Sequence, residues 1–105
     1  MILVYVTCSS IKEAQKIGEH LLKLRLCACI NIISNMQSTS WWPPKQNQFE
    51  KAKEVILLIK TLEEKYLAIE TEVHKIHLSK VPCIFAIPVT HADKKYQKWI
   101  EEEIK

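Results

Sequence analysis

The stretch Glu54–Thr61, which reads Glu-Val-Ile-Leu-Leu-Ile-Lys-Thr, decides the fold because its five central residues form an uninterrupted apolar run. The run is too short for a helix of ordinary length and is rich in residues that favour strands. Successive side chains of a strand point to opposite faces of the sheet, so both faces of this strand are apolar. A strand of this kind is usually covered on both sides. The stretch therefore predicts the central strand of a sheet with two hydrophobic faces.

Three more strands are predicted around this one. Ile2–Val6 and Cys83–Val89 have the same apolar character, and Pro88 makes the latter an edge strand or a bulged one. Cys27–Ile33 predicts the second strand, with a possible continuation as far as Trp41. Pro43-Pro44 must interrupt any strand or helix because proline lacks a backbone N–H. The second and third strands should therefore form a long hairpin, whose tip carries Trp41, Trp42, Pro43 and Pro44.

Three helices fill the remaining sequence. Ser10–Glu13 and Thr61–Glu64 both place Ser or Thr three residues before Glu, a pattern typical of a helix start. A third helix is expected to begin at Thr90 or Asp93. Each helix carries an apolar stripe at spacings of three and four. The stripes are Ala14, Ile17, Leu21 and Leu24; Leu62, Tyr66, Ile69, Val73 and Ile76; and Tyr96, Trp99, Ile100 and Ile104.

The order strand, helix, strand, strand, helix, strand, with an additional C-terminal helix, predicts an α+β, ferredoxin-like βαββαβ fold in a single domain, residues 1–105. Right-handed crossovers place both main helices on one face of an antiparallel sheet, with the strands in the spatial order fourth, first, third, second. The C-terminal helix can cover only part of the other face. Because large exposed apolar patches usually mark interfaces, we expect a homo-oligomer joined through that face.

The composition of the chain excludes several classes of function. The net charge of +3 gives no basic footprint for nucleic acid, and no apolar run is long enough to span a membrane. Met1 leads directly into strand-like sequence, so no secretory leader is expected and a cytoplasmic location is predicted. The four cysteines are then expected to be free thiols. A single glycine excludes a glycine-rich phosphate loop.

Metal-binding residue types should gather at one end of the sheet. The predicted topology brings the end of the first strand and the start of the fourth to the end of the second helix, which collects Cys8, Cys83 and His77, with His74 nearby. Thiolate and imidazole are ligands that copper and zinc prefer. The alternative is that the cysteines are buried core residues and that the histidines face solvent. Cys27 and Cys29 begin at the opposite end, so one subunit cannot bring all four cysteines to one metal.

Three other side chains have a functional and a structural interpretation each. Lys60 ends the apolar strand, where it could hold an anion in a cleft between subunits or simply extend to solvent along the rim. Trp41 and Trp42 are expected to be interface anchors first and ligand-stacking residues second. No nucleophile, base and acid constellation is visible, and Thr7–Ser10 lacks the arginine that an acylphosphatase-type loop would need, so no enzyme is expected.

Several short motifs together resemble the CutA family of divalent-cation tolerance proteins, in the right order and over essentially the whole chain. They are Val4-Tyr5-Val6-Thr7, Leu26–Ile33, Ser40-Trp41-Trp42, Leu57–Thr61, His77 followed by Val81-Pro82, and Ile87-Pro88-Val89-Thr90 with Tyr96 and Trp99. The resemblance implies a tight homotrimer, a link to tolerance of copper and other divalent metals, and kinship with PII signalling trimers. This sequence departs from the family pattern at Leu78, Ser79, Cys83 and Pro43-Pro44-Lys45.

The sequence therefore predicts a cytoplasmic homotrimer that binds a divalent cation, copper first, through Cys29 and His77, with Cys83 as a ligand specific to this chain. Cys29 stands where the resemblance suggests a copper ligand, although a buried core thiol is the alternative. The competing hypothesis is a PII-like signalling or adaptor trimer. In it, Lys60, Trp41 and Trp42 would engage a small anionic ligand or a protein partner. No membrane or nucleic-acid partner is expected.

Overall fold

The structure is a computed structural model that describes residues 1–104. One antiparallel sheet has the strand order β2-β3-β1-β4, which confirms the predicted order and the ferredoxin-like class. A 3-10 turn, Glu63–Lys65, precedes the second helix. The elements are β1 (Ile2–Cys8), α1 (Ile11–Lys23), β2 (Cys29–Trp41), β3 (Phe49–Thr61), α2 (Tyr66–Ile76), β4 (Ile84–Pro88) and α3 (Lys94–Glu103).

The first face of the sheet, which carries Leu57 and Ile59, is covered by α1 and α2 over its two central strands. Both side chains are buried among residues of β1, α1 and α2. The residues of these elements with no solvent exposure include Val4, Val6, Ile17, Leu21, Ile69 and Val73. Gly18 of α1 lies in this layer, and a Cβ at that position would overlap Ile30 Cδ1. The glycine therefore permits a close approach of α1 to β2. Burial of this layer is the main stabilising contribution to the fold.

The second face carries the alternate residues of the same strands, and it is only partly covered. Leu58 lies opposite Tyr5, which in turn lies opposite Phe85. The rings of Tyr5 and Phe85 stack with centroids 4.9 Å apart, yet Phe85 remains 45% exposed. Helix α3 covers one end of this face, where the Lys60 ammonium lies 5.6 Å from the centre of the Tyr96 ring. The middle of the face is open.

The hairpin of β2 and β3 extends well beyond the sheet, and the described chain reaches 46 Å along its longest axis. The pairing slips between Ile33 and Met36, where Asn35 adopts a positive φ of 63°. This bulge adds residues to β2 and bends it. The continuation to Trp41 is confirmed, but β2 begins at Cys29 rather than at Cys27. Only from Cys29, which pairs with Lys60, is the chain in register with β3.

Two of the predicted helix starts are confirmed and one is wrong. Ser10 accepts a hydrogen bond from the Glu13 N–H, and Asp93 caps α3 in the same way. Thr61 does not cap a helix. It is the fully buried last residue of β3, and its hydroxyl donates to the Leu26 carbonyl, 2.6 Å away. The hydroxyl thus ties the end of β3 to the segment that precedes β2.

Candidate metal site

Three potential metal ligands meet at one end of the sheet. Cys8 is the last residue of β1, Glu13 lies in the first turn of α1, and His77 is the C-cap of α2. One ligand atom of each lies within 4.8 Å of the others. All three side chains are shielded from solvent: Cys8 is 1% exposed, and the side chains of His77 and Glu13 are 6% and 4% exposed. Sulfur, nitrogen and oxygen donors thus share one buried location.

The hydrogen bonds of His77 define its tautomer. Its Nε2 lies 2.7 Å from the Thr7 carbonyl oxygen, which can only accept, so Nε2 carries the hydrogen. Its Nδ1 lies 3.0 Å from the backbone nitrogen of Ser79, which can only donate. In this tautomer the electron pair of Nδ1 accepts from the Ser79 N–H. Glu13 is the other neighbour of this nitrogen, with Nδ1 and Oε2 3.6 Å apart.

The Glu13 carboxylate joins three segments of the chain. Its Oε1 accepts from the N–H and the hydroxyl of Ser9, at 2.7 Å and 2.9 Å. Its Oε2 accepts from the Leu78 N–H at 2.8 Å, across 65 residues of sequence. Burial alone would raise the pKa of Glu13, but the hydrogen bonds from Leu78 and Ser9 outweigh it, and the pKa is lowered. The carboxylate therefore remains charged in spite of its burial.

The Cys8 thiol is also buried, but its pKa is raised, whereas that of Glu13 is lowered. Burial raises its pKa to about 12, and the nearby carboxylates of Glu13 and Glu54 add to the increase. At neutral pH the group is a protonated thiol, and it becomes a ligand when a metal displaces the proton. The complete set, one thiol, one imidazole and one carboxylate, fits a borderline-soft divalent cation such as Zn²⁺, and it also offers copper nitrogen and sulfur.

The metal-ligand candidates from the sequence divide between the two ends of the sheet. Cys83 lies at the same end as His77, since its carbonyl accepts from the Thr7 N–H, but its side chain is exposed and its sulfur is not in the cluster. His74 is also exposed and outside the cluster. Cys29 lies opposite Lys60, five residues along β3 from the residue opposite Cys8. This offset is about 17 Å, so one chain does not bring Cys29 to His77.

The other predicted functional residues have different surroundings. The Lys60 ammonium lies over the Tyr96 ring at the edge of the partly covered face. Trp41, at the end of the hairpin, is 66% exposed and packs on Phe49 with ring centroids 4.3 Å apart. Trp42 is 37% exposed, and its backbone N–H donates to the Gln48 carbonyl. Both tryptophans thus lie at the hairpin tip, as predicted.

Sequence reasoning missed Glu13 as a member of this cluster. A Glu three residues after a Ser is normally interpreted as half of a capping box, in which it reaches back to the cap residue. Here the carboxylate reaches Ser9 and Leu78 instead. The available signal was topological, because the loop after the first strand and the end of the second helix were already predicted to meet.

Comparison with known proteins agrees with this architecture. The model of the CutA1 divalent ion tolerance protein family matches residues 2–103. The chain belongs to the CutA1 family. The divalent-cation tolerance protein CutA of Archaeoglobus fulgidus is 36% identical over 101 residues, which cover 96% of this chain and 95% of the relative. The Thermotoga maritima divalent-cation tolerance protein CutA is 35% identical over 104 residues, which cover 99% of each chain.

Solved CutA structures confirm the family fold. The structure of the Archaeoglobus fulgidus protein, which is named a periplasmic divalent cation tolerance protein, superimposes with a TM-score of 0.93 at 35% identity and covers 100% of both chains. CutA1 of Thermus thermophilus gives the same TM-score at 29% identity, again with full coverage of both chains. Within residues 1–104, no helix has the length and apolar character needed to cross a membrane.

Proposed function

We propose that this CutA1-family chain is a divalent-cation-binding protein that acts in cation tolerance as a homotrimer, with copper as the first candidate. The observation that carries the proposal is the convergence of thiol, imidazole and carboxylate groups in one buried cluster, in a chain whose relatives are named for divalent-cation tolerance. Sulfur and nitrogen ligands select copper and zinc over magnesium and calcium. The role is binding, not catalysis.

The homotrimer is supported by the open second face of the sheet. Phe85 and Ile87 of β4 and Ile33 of β2 are 45%, 43% and 48% exposed there, although they belong to the two edge strands of the same sheet. Apolar side chains grouped in this way usually mark an interface. Three copies would cover this face for one another, and Trp41 and Trp42 at the hairpin tip would anchor the contact.

The trimer also matters for the predicted ligands. Cys29 lies on the second face, because it pairs with Lys60 and alternates with the residues of the covered face. Within one chain it is remote from His77, so a ligand role for Cys29 requires residues of a neighbouring subunit. Cys83 is exposed at the end that carries His77. We propose His77, Cys29 and Cys83 as a ligand set that requires the assembled trimer, which is the alternative to the cluster of Cys8, Glu13 and His77 within one chain.

A cytoplasmic location is part of the same proposal. All four cysteines in the described chain are free, which suits a reducing compartment. The Archaeoglobus fulgidus relative, however, carries the name periplasmic. Fractionation of cells that express the full chain would decide between the two locations.

Titration of the purified protein with Cu²⁺ and Zn²⁺ tests the function. We expect saturable binding with a fixed number of ions per trimer, and a weaker affinity in His77→Ala and in Cys29→Ser. Unchanged affinity in both variants would remove these residues from the ligand set. Binding no stronger than that of an unrelated serum protein would remove the metal role. Sedimentation of the same samples should give the mass of three chains.

The competing hypothesis, a PII-like trimer with a small anionic ligand, depends on Lys60. Its ammonium already lies over the Tyr96 ring, at the edge of the face that a neighbour would cover. A ligand in a cleft between subunits could reach it there. Thermal-shift screening with nucleotides and organic anions distinguishes the two functions. An increase in melting temperature with an anion, together with none for any metal, would favour the PII-like function.

A further inference from the structure

We propose that Cys8 Sγ, a Glu13 carboxylate oxygen and His77 Nδ1 form a metal site that is complete within one chain and takes a thiophilic divalent cation of the Zn²⁺ class. The inference rests on the proposed metal-binding function and specifies a site for it. Among residues 1–104, no other trio of His, Cys, Asp or Glu brings its ligand atoms this close together.

The imidazole is already arranged as a metal ligand. Metal-binding histidines almost always donate their second ring N–H to a carbonyl or a carboxylate, which fixes the ring and makes the other nitrogen more basic. His77 does this with the Thr7 carbonyl at 2.7 Å. Its Nδ1 is left with an electron pair in the buried cluster.

The arrangement of Nδ1 and Glu13 also favours a cation. A bare Nδ1 and a carboxylate oxygen are both acceptors, so they cannot hydrogen-bond to each other across the 3.6 Å that separates them. With bonds of about 2.0–2.3 Å to zinc, two ligands of a tetrahedral site lie about 3.3–3.8 Å apart. The nitrogen and oxygen therefore already have a suitable separation. The Cys8 sulfur lies within 4.8 Å of one ligand atom of each of these two residues, so it lies in the same cluster.

The charges balance when a divalent ion binds. The Glu13 carboxylate contributes one negative charge, and His77 contributes none. Binding breaks the Cys8 S–H bond: the proton leaves to solvent, and the sulfur donates the electron pair to the metal. Two negative ligands then neutralise the charge of a divalent cation. The buried cluster changes from one net negative charge to none, which reduces its desolvation penalty.

One existing contact must be given up. The Ser79 N–H currently donates to His77 Nδ1 at 3.0 Å, and a metal would take its place. Ser79 lies in an exposed segment between α2 and β4, together with Leu78 and Lys80. Its N–H can therefore turn to water at small cost. The same exposed segment offers an ion a route into the cluster.

The decisive test uses the full-length trimer with the double substitution Cys29→Ser and Cys83→Ser. Neither residue is fully buried, so the variant should fold, and only Cys8 and Cys27 remain as thiols. We expect one Co²⁺ per chain, with thiolate-to-cobalt charge-transfer absorption in the near ultraviolet, and displacement of Co²⁺ by Zn²⁺. Absence of this absorption in the folded variant would overturn the proposed site.

Cys8→Ser and Cys27→Ser provide a matched pair in the otherwise unaltered chain. Both thiols are buried, and burial raises the pKa of each to about 12, but only Cys8 has Glu13 and His77 beside it. We expect Cys8→Ser and Glu13→Gln to weaken Zn²⁺ binding at least about tenfold, by comparison with the tenfold to hundredfold effect of altering even outer-shell partners. Cys27→Ser should leave binding unchanged.

The outcomes separate this site from the broader function. If metal binding survives Cys8→Ser and Glu13→Gln but is lost in Cys29→Ser, the site within one chain is wrong and the trimer-dependent site stands. If the unaltered protein binds neither Zn²⁺ nor Co²⁺, both proposals fail. Should Cys8→Ser not fold, the Co²⁺ spectrum of the double variant decides together with Cys27→Ser, because loss of the absorption in Cys27→Ser would assign the thiolate to Cys27 and overturn the site.

Discussion

The two faces of the sheet are made from alternate residues of the same strands, yet they have different roles. Leu57 and Leu58 are neighbours in β3, and they differ in what covers them. Leu57 is fully buried beneath α1 and α2, whereas Leu58 lies on the face that α3 covers at only one end. The first face is completed by its own chain. The second face has the same hydrophobic character without that cover, and it is the face through which we propose that copies of the chain associate.

The largest effect should come from a charge on the open face. If the proposed trimer forms through this face, Phe85→Glu should convert it into single chains at micromolar concentration, because three carboxylates would have to be buried in the assembly without partners. Leu67→Glu is the matched control, since Leu67 is 73% exposed on α2, away from the sheet. Sedimentation measures both variants. A stable Phe85→Glu trimer would show that this face is not the contact.

Truncation of one leucine to alanine on each face tests the same contrast with a smaller expected effect. Leu57→Ala should lower the free energy of unfolding by about 2–5 kcal/mol, because the fully packed layer cannot collapse around the missing atoms. Leu58→Ala should instead make the apparent stability more dependent on protein concentration, because it weakens association. Urea unfolding at two protein concentrations measures both. Equal, concentration-independent losses would contradict the assignment of the two faces.

Glu13, at the edge of the covered face, should make stability depend on pH. Its pKa is lower in the folded chain than in the unfolded chain. Its contribution is therefore present above the unfolded value, near 4.3, and is lost as the pH falls through the folded value. Glu13→Gln should cost about 1–3 kcal/mol at neutral pH and flatten the stability profile below pH 5. Unfolding with a chelator present, from pH 3 to 7, measures this. A parallel profile in the variant would exclude Glu13 as the source.

The helix caps should give the smallest effects and show which face each helix serves. Ser10 caps α1 on the covered face, and Asp93 caps α3 on the open face. Alanine at either position should cost about 1 kcal/mol of helix stability. We expect Ser10→Ala to lower only the free energy of unfolding. Asp93→Ala should lower the free energy of unfolding and also weaken the proposed trimer. Thermal unfolding and sedimentation of the two variants provide the comparison.

Much of this fold was predictable because short-range patterns specify it. An uninterrupted apolar run located β3, and the Ser10 pattern located the start of α1. Thr61 shows the limit: its sequence context is a good capping box, but a buried hydroxyl bonded to Leu26 served the strand better. Tertiary contact overrode the local signal.

The candidate site was predictable in part. Topology alone brought Cys8 and His77 to the same end of the sheet. The role of Glu13 depends on contacts with Leu78 and His77, which lie more than sixty residues away and leave no trace in the local sequence. The sequence already placed Cys29 at the opposite end of the sheet from Cys8, and the register of β2 on β3 gives that separation its size, about 17 Å.

The position of β1 between β3 and β4 has a consequence for synthesis. The first strand to leave the ribosome has no neighbour until Phe49–Thr61 has been translated, and its second neighbour ends only at Pro88. The nascent chain must therefore hold the hydrophobic segment of β1 without its complete sheet until β4 has been translated. Such late, long-range pairing slows folding and prolongs exposure to aggregation.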